Sequence, residues 1–258
     1  MPSSGDEVDS IVLFGGDGTV HRHLGQLVKL GLPVLVVPAG SGNDFARSLG
    51  LGSVRDSKAA WEQYRSGVVQ PRSIDLGTIS DQATGGHHYF CCVAGVGLDS
   101  EVARRANKLP RWLRGHGGYA LSLAPTIFRF APFRMKVLDV ENGTGDWLVR
   151  SDQPTMLAAF ANGPLYGGGM QIAPRAKMDD GLLDVCIVGA VEPLRLLYLF
   201  PTVYSGRHLK VREVQYFQSS AVRIETEHPL DVYADGEFVC RTPVEISVQR
   251  SALRVIAP

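Results

Sequence analysis

Two short apolar runs, each delivered straight into a glycine-rich turn, constrain this chain more than any other feature. "IVLF" (11–14) runs into "GGDGT" (15–19), and "VLVV" (34–37) runs into "PAGSGNDFAR" (38–47). Continuous apolar runs of this length suit strands buried on both faces, the habit of parallel sheets. Between them Val20, Leu24, Leu27 and Val28 recur at helical spacing until Gly31 and Pro33 stop the helix. Helical stretches "DFARSLGL" and "DSKAAWEQYRSG" follow. The first 67 residues therefore read β-α-β-α-α, with a right-handed parallel crossover. Both glycine turns fall at the carboxyl ends of strands, where open α/β sheets bind ligands.

Gly15, Gly16 and Gly18 let backbone N–H groups come close to an anion, and the helix that opens through Thr19, Val20 and His21 adds partial positive charge. The loop lacks the Lys of a Walker motif and the GxGxxG spacing of a dinucleotide fold. Taken alone, Asp17-Gly18 also suits a tight turn. In the second loop Ser41 offers a hydroxyl, and Asn43 or Asp44 is expected to cap a helix starting near Phe45. Two such loops on adjacent parallel strands read as a phosphate cradle.

From about residue 72 short strand-like runs dominate, separated by turns such as "NGTGD", "DDG" and "ADGE", with helical insertions near 99–129 and 193–207. That pattern predicts a partial α/β nucleotide-binding domain over 1–71 and a β-sandwich domain over 72–258, with the last residues packing back on the first domain. Twenty-six basic side chains balance 26 acidic ones, which argues against nucleic acid as a partner. The four cysteines show no CxxC or zinc spacing and read as reduced, buried thiols of a cytoplasmic protein. No apolar run reaches the roughly 18 residues a membrane span needs.

Two acidic turns stand out. "KMDDGLLD" (177–184) suits a β-turn as well as a metal site, and "VYADGEFV" (232–239) alternates about Asp235-Gly236 as a hairpin that can carry Glu237 into a cleft. "GGDGTV", "PAGSGNDFAR", "VAGVGLD", "MDDGLLDV" and "DGEFV", in this order, resemble the diacylglycerol kinase catalytic-domain family, which includes bacterial lipid kinases and sphingosine kinases and is distantly similar to NAD kinases. The resemblance implies ATP in the cleft between the two domains, held by Gly15, Gly16, Asp17, Gly18, Thr19, Val20, His21, Ser41, Asn43 and Asp44. It implies Glu237 as the proton acceptor, Asp17 beside the phosphates and the catalytic Mg²⁺, and a structural Mg²⁺ on the Asp180 side chain and the carbonyls of Lys177 and Leu182. The activity implied is transfer of the γ-phosphate to diacylglycerol or a similar lipid alcohol. The alternatives are a non-catalytic lipid- or nucleotide-binding remnant and an NAD kinase. Two departures bear on this: His21 and Arg22 stand where the family pattern has Asn and Glu, and the longer N-terminal segment of the family, with an NPxxG-type loop, does not precede Ile11. The chain is therefore expected to be an N-terminally truncated member.

No acidic residue falls between Glu101 and Asp139, while that interval holds Arg104, Arg105, Lys108, Arg111, Arg114, Arg129, Arg134 and Lys136 among Trp112, Tyr119, Phe128, Phe130 and Phe133. The expectation is that 104–136 brings the protein to a membrane surface peripherally, as a homodimer or as a single copy.

Overall fold

A computed structural model describes residues 8–106, 125–140 and 145–258. Strand β1 (Ile11–Gly15) pairs in parallel with β2 (Val34–Pro38), and helix α1 (Asp17–Leu30) crosses between them. Val20, Leu24 and Leu27 bury one face of α1, as their spacing requires. Gly31 at φ 64° ends the helix in the left-handed conformation, with its N–H on the Leu27 carbonyl. Helices α2 (Asp44–Ser48) and α3 (Val54–Arg65) follow, and Ser53 caps α3 by accepting from the Asp56 amide.

The remaining strands are β3 (Arg72–Asp81), β4 (His87–Phe90), β5 (Val93–Gly97), β6 (Phe133–Val140), β7 (Trp147–Ala161), β8 (Leu183–Gly189), β9 (Val214–Ser219), β10 (Ala221–Thr226), β11 (Asp231–Ala234), β12 (Glu237–Arg241) and β13 (Val244–Val255). Helix α4 (Leu98–Ala106) follows β5. Helix α5 (Pro193–Leu199) and the 3-10 turns η1 (Phe200–Ser205) and η2 (Arg207–Lys210) join β8 to β9. Apart from β1–β2 and the end of β13, the strand pairs are antiparallel.

The two halves are stitched by the chain's end. β13 runs antiparallel to β3 and β10, bulges between Gln249 and Leu253, and then lays Val255 parallel to Val34 of β2. The Ile256 N–H completes the join on the Val34 carbonyl. The expected packing of the last residues on the first domain is thus a continuation of its sheet. One core, including Leu24, Leu27, Phe45 and Ile256, fills the α/β half; another, including Phe90, Phe160, Val185 and Ile224, fills the sandwich.

All four cysteines are free and buried, as their spacing predicts. Among the described residues no helix is long and apolar enough to cross a membrane.

Candidate active site

The two glycine loops meet face to face. A Cβ on Gly40 would stand 2.5 Å from the Gly16 Cα, and one on Gly16 would stand 2.9 Å from the Gly40 Cα. No side chain fits there, so the backbones themselves form the floor. Gly16 is the N-cap of α1 and supplies no side-chain cap. The first N–H groups of a helix have no partner within it, so α1 ends in donors and partial positive charge at the glycine floor. An anionic phosphate fits that arrangement.

The second loop differs from its sequence expectation. Neither Asn43 nor Asp44 caps α2 with its own side chain. Asn43 sits at φ 57° and closes the loop on itself: its amide donates to the Gly40 carbonyl at 2.8 Å and its oxygen accepts from the Gly40 N–H at 2.9 Å. The cap comes from the other loop, because Asp17 Oδ2 accepts from the Asp44 N–H at 3.1 Å and Oδ1 from the Phe45 N–H at 2.9 Å. A local cap would need an extended N-cap residue, and the left-handed Asn43 turns its side chain back instead. Burial pushes the Asp17 carboxyl above its ordinary range; the α2 amides oppose that and the Asp235 charge adds to it.

Asp44 is buried, with Oδ2 accepting from the Gly168 N–H at 2.7 Å and Oδ1 only within 3.6 Å of the Arg47 guanidinium. Burial raises its carboxyl too, with the Gly168 amide opposing. A Cβ on Gly42 would lie 2.9 Å from Asp17 Oδ2 and 3.7 Å from Asp44 Oδ2, so both acids converge on that glycine. Carboxylates gathered in this way, one oxygen without a hydrogen-bond donor, are a donor set that suits a hard divalent cation.

The hairpin tip between β11 and β12 arrives from the other half of the molecule. Glu237 Oε1 lies 3.1 Å from where a Cβ on Gly18 would stand, which sets the carboxylate beside the first turn of α1. Asp235 fixes the tip. Its fully buried carboxylate accepts from the amides of Cys91 (2.9 Å), Cys92 (2.8 Å) and Val93 (3.3 Å), and its Oδ2 lies 3.1 Å from His21 Nδ1. Burial opposes the Asp235 charge, but His21 and the amides outweigh it and hold the carboxyl below its ordinary value. Burial likewise opposes a charge on His21, yet Asp235, with Glu237 adding its field, raises that imidazole. The sequence places His21 in the phosphate cradle and marks it as a departure from the family pattern, but not as a partner of Asp235. Its partner lies 214 residues away, and no local signal announces it.

Gly15, Gly16, Asp17, Gly18, Asn43 and Asp44 are therefore brought together with Glu237 and His21. Thr19 packs against Gly15, Val20 is buried in the core, and Ser41 is exposed on the second loop. The 177–182 turn stands apart. Among the described residues, its hydrogen bonds run to β3 and β9 rather than to the glycine loops. Asp180 Oδ1 accepts from the Leu182 N–H at 3.1 Å, and the Gly181 N–H donates to Asp75 at 2.7 Å. Asp75, which the sequence reading passed over, also accepts from Ser251 N–H at 2.7 Å and so ties this turn to β13. Nearby, burial raises the Asp184 carboxyl; Tyr216 and Gln218 oppose this and the Asp180 charge adds to it. Asp180 and Asp184 share the Gln218 amide, at 3.5 and 3.2 Å, and two acids this close suit a hard cation such as Mg²⁺ chemically.

An apolar cavity opens beside the site. It holds about 80 Å³, and Leu98, Ile127, Tyr166, Ile172, Leu196 and Phe200 are among its lining. Tyr166 and Ile172 flank the short turn whose Gly168 N–H binds Asp44. Two residues of chain span at most about 7 Å, so the cavity wall begins next to the second glycine loop.

A glycine floor at paired strand ends, buried carboxylates over it, and an acid delivered by a hairpin opposite make a site, built from both halves, that suits an anionic phosphate. Known proteins then give the family. Residues 3–79 match the diacylglycerol kinase catalytic domain, and residues 92–257 match the YegS C-terminal NAD kinase beta sandwich-like domain. The diacylglycerol kinase of Mycobacterium tuberculosis is 37% identical over 250 residues, spanning 97% of this chain and 77% of the relative. A YegS-like lipid kinase of Chromohalobacter salexigens is 31% identical over 96% of this chain and 76% of its own length. A solved structure from Bacillus anthracis, described as "a putative diacylglycerol kinase", superposes with a TM-score of 0.70 at 26% identity, covering 98% of this chain and 78% of that one. The chain belongs to the diacylglycerol kinase family of lipid kinases.

Proposed function

We propose that this protein transfers the γ-phosphate of ATP to the hydroxyl of diacylglycerol or a similar lipid alcohol. The observation that carries the reading is the placement of Glu237 against the first turn of α1, over the glycine floor. With ATP phosphates on that floor, the Glu237 carboxylate takes the proton of the lipid hydroxyl as its oxygen attacks the γ-phosphorus. The new P–O bond forms as the bond to the β-phosphate oxygen breaks, and ADP leaves with that electron pair. A bound Mg²⁺ would neutralise developing phosphate charge, and Asp17 and Asp44 are the residues that would hold it. Asp17 also fixes α2 to α1, which keeps the two loops in contact. The apolar cavity is the place for an acyl chain.

Glu237→Gln tests this. The amide keeps the shape but cannot accept the proton, so kcat on diacylglycerol should fall about 10²- to 10⁴-fold with ATP affinity near wild type. Equal turnover by the variant would remove Glu237 from the mechanism. ATP binding with no turnover by the wild-type chain on any lipid alcohol would favour a nucleotide-binding remnant.

The expected membrane surface over 104–136 changes character in the structure. Residues 107–124, with Lys108, Arg111, Trp112, Arg114 and Tyr119, lie outside the described residues. Of the five cations of this interval among the described residues, four have carboxylate partners and Arg129 has none. Arg104 and Arg105 hold Glu101, Arg134 holds Asp152, and Lys136 holds Glu225. The expectation of uncompensated charge fails for these four, because strand pairing and helix spacing supply carboxylates from outside the interval. Peripheral attachment at the cytoplasmic membrane face, with or without dimerisation, remains our reading of how the substrate is reached.

A further inference from the structure

Helix α5 is apolar apart from Arg195, yet it lies on the surface. Leu196 and Leu199, with Phe200 just beyond, point inward and line the apolar cavity. Leu194, Leu197 and Tyr198, at i, i+3 and i+4, form a second apolar stripe that faces outward. Leu194 is 72% and Tyr198 is 82% exposed. Tyr204 on η1 is also exposed. A helix with apolar residues on two faces normally has both covered, by a core or by lipid. Here one side has the cavity and the other has nothing of this chain over it among the described residues.

Cations predominate around this helix, although the exposed Glu192 stands at its N-cap. Residues 193–212 carry Arg195, Arg207, Lys210 and Arg212 and no carboxylate, in a chain whose formal net charge is zero. Arg195 and Arg212 share Glu213, which lies just beyond. Arg207 and Lys210 are exposed, and neither has a carboxylate partner among the described residues. Exposed Leu and Tyr beside unneutralised cations match the interface of an anionic bilayer, where apolar side chains enter the acyl boundary and cations meet the headgroups.

We propose that the α5–η1–η2 insertion is a membrane-docking face, in which Leu194, Leu197 and Tyr198 enter an anionic phospholipid bilayer and Arg207 and Lys210 contact its headgroups. The inner stripe of the same helix forms a wall of the cavity, so docking sets that cavity against the lipid phase. The choice of a bilayer over another protein surface rests on the lipid-kinase reading and on this charge.

Flotation of the whole chain with vesicles tests the proposal, using phosphatidylcholine alone and phosphatidylcholine with phosphatidylglycerol. The wild type should bind the anionic vesicles, and Leu194→Glu with Tyr198→Glu should lower the partition coefficient by about tenfold or more. Arg207→Glu with Lys210→Glu should abolish the preference for phosphatidylglycerol and its sensitivity to salt. Both double variants should keep the wild-type melting temperature and ATP affinity, since all four side chains are exposed. Undiminished vesicle binding by the Glu pair, or no vesicle binding by the wild type, overturns the proposal. So does a wild-type dimer in sedimentation that the Glu pair dissociates, which would assign the face to a second copy of the chain. Turnover of dispersed dioctanoylglycerol separates this from the chemistry. Variants that lose vesicles but keep that turnover support docking, and a wild type that binds vesicles yet phosphorylates no lipid overturns the kinase reading alone.

Discussion

Asp235 joins three segments through one buried carboxylate, and its removal tests whether that junction holds the site together. Asp235→Ala leaves the Cys91 and Cys92 amides without their acceptor and His21 without its partner. A buried donor left without a partner costs about 1–3 kcal/mol, and breaking a buried ion pair by deleting one member costs about 3–5 kcal/mol. These overlap, so a loss of about 4 kcal/mol is expected. At about 2–4 °C per kcal/mol for a chain of this size, Tm should fall by roughly 10 °C. The penalty depends on pH with a defined sign. The Asp235 carboxyl is held below its ordinary value, so its contribution is present above about pH 4 and is lost as pH falls through the depressed value. His21 is raised, so its contribution is complete below about pH 6.5 and is lost as pH rises through the raised value. The gap in Tm between wild type and Asp235→Ala should therefore be widest from about pH 4 to 6.5 and narrow above it, leaving the part due to the amides. Calorimetry of both proteins across that range is the assay. A variant within about 2 °C of wild type at every pH would refute the junction, and a gap that stays flat into alkaline pH would refute the charged His21.

Gly40→Ala places a methyl group 2.5 Å from the Gly16 backbone, so ATP binding measured by calorimetry should be lost while most of the fold survives. Asp180→Ala should abolish any rise of Tm with added Mg²⁺, because a ligand bound only by the native state stabilises it; a wild-type Tm indifferent to Mg²⁺ would leave the 177–182 turn as a plain brace. Leu199→Trp fills the apolar cavity from α5, so KM for dioleoylglycerol should rise about tenfold or more while ATP affinity holds. Unchanged KM would place the acyl chain elsewhere.

Much of the architecture could be read from the chain. The apolar runs before each glycine turn became β1 and β2. Where strands are interrupted in sequence, pairing decided. β7 runs on through Pro154, and β13 runs on across a bulge between Gln249 and Leu253. The buried Asp75 and Asp44 were not legible as acceptors, because a burial cost is met by amides far along the chain. The outward stripe of α5 was read only as part of a helical insertion, since periodicity alone does not say which of two apolar faces is covered.

By itself the sequence determined the local chemistry. Glycines set where backbone can approach a phosphate, alternation set the strands, and Asp235-Gly236 set a hairpin with Glu237 at its tip. All of these depend on residues within a few positions of one another. Tertiary structure alone decided that Gly16 and Gly40 touch, that Asp17 rather than Asn43 caps α2, and that His21 meets Asp235. These contacts join residues 24 to 214 positions apart. The first two exist because β1 and β2 pair side by side, and the third because β13 carries the sandwich back onto β2, bringing a buried charge within reach of the donors that offset its loss of water.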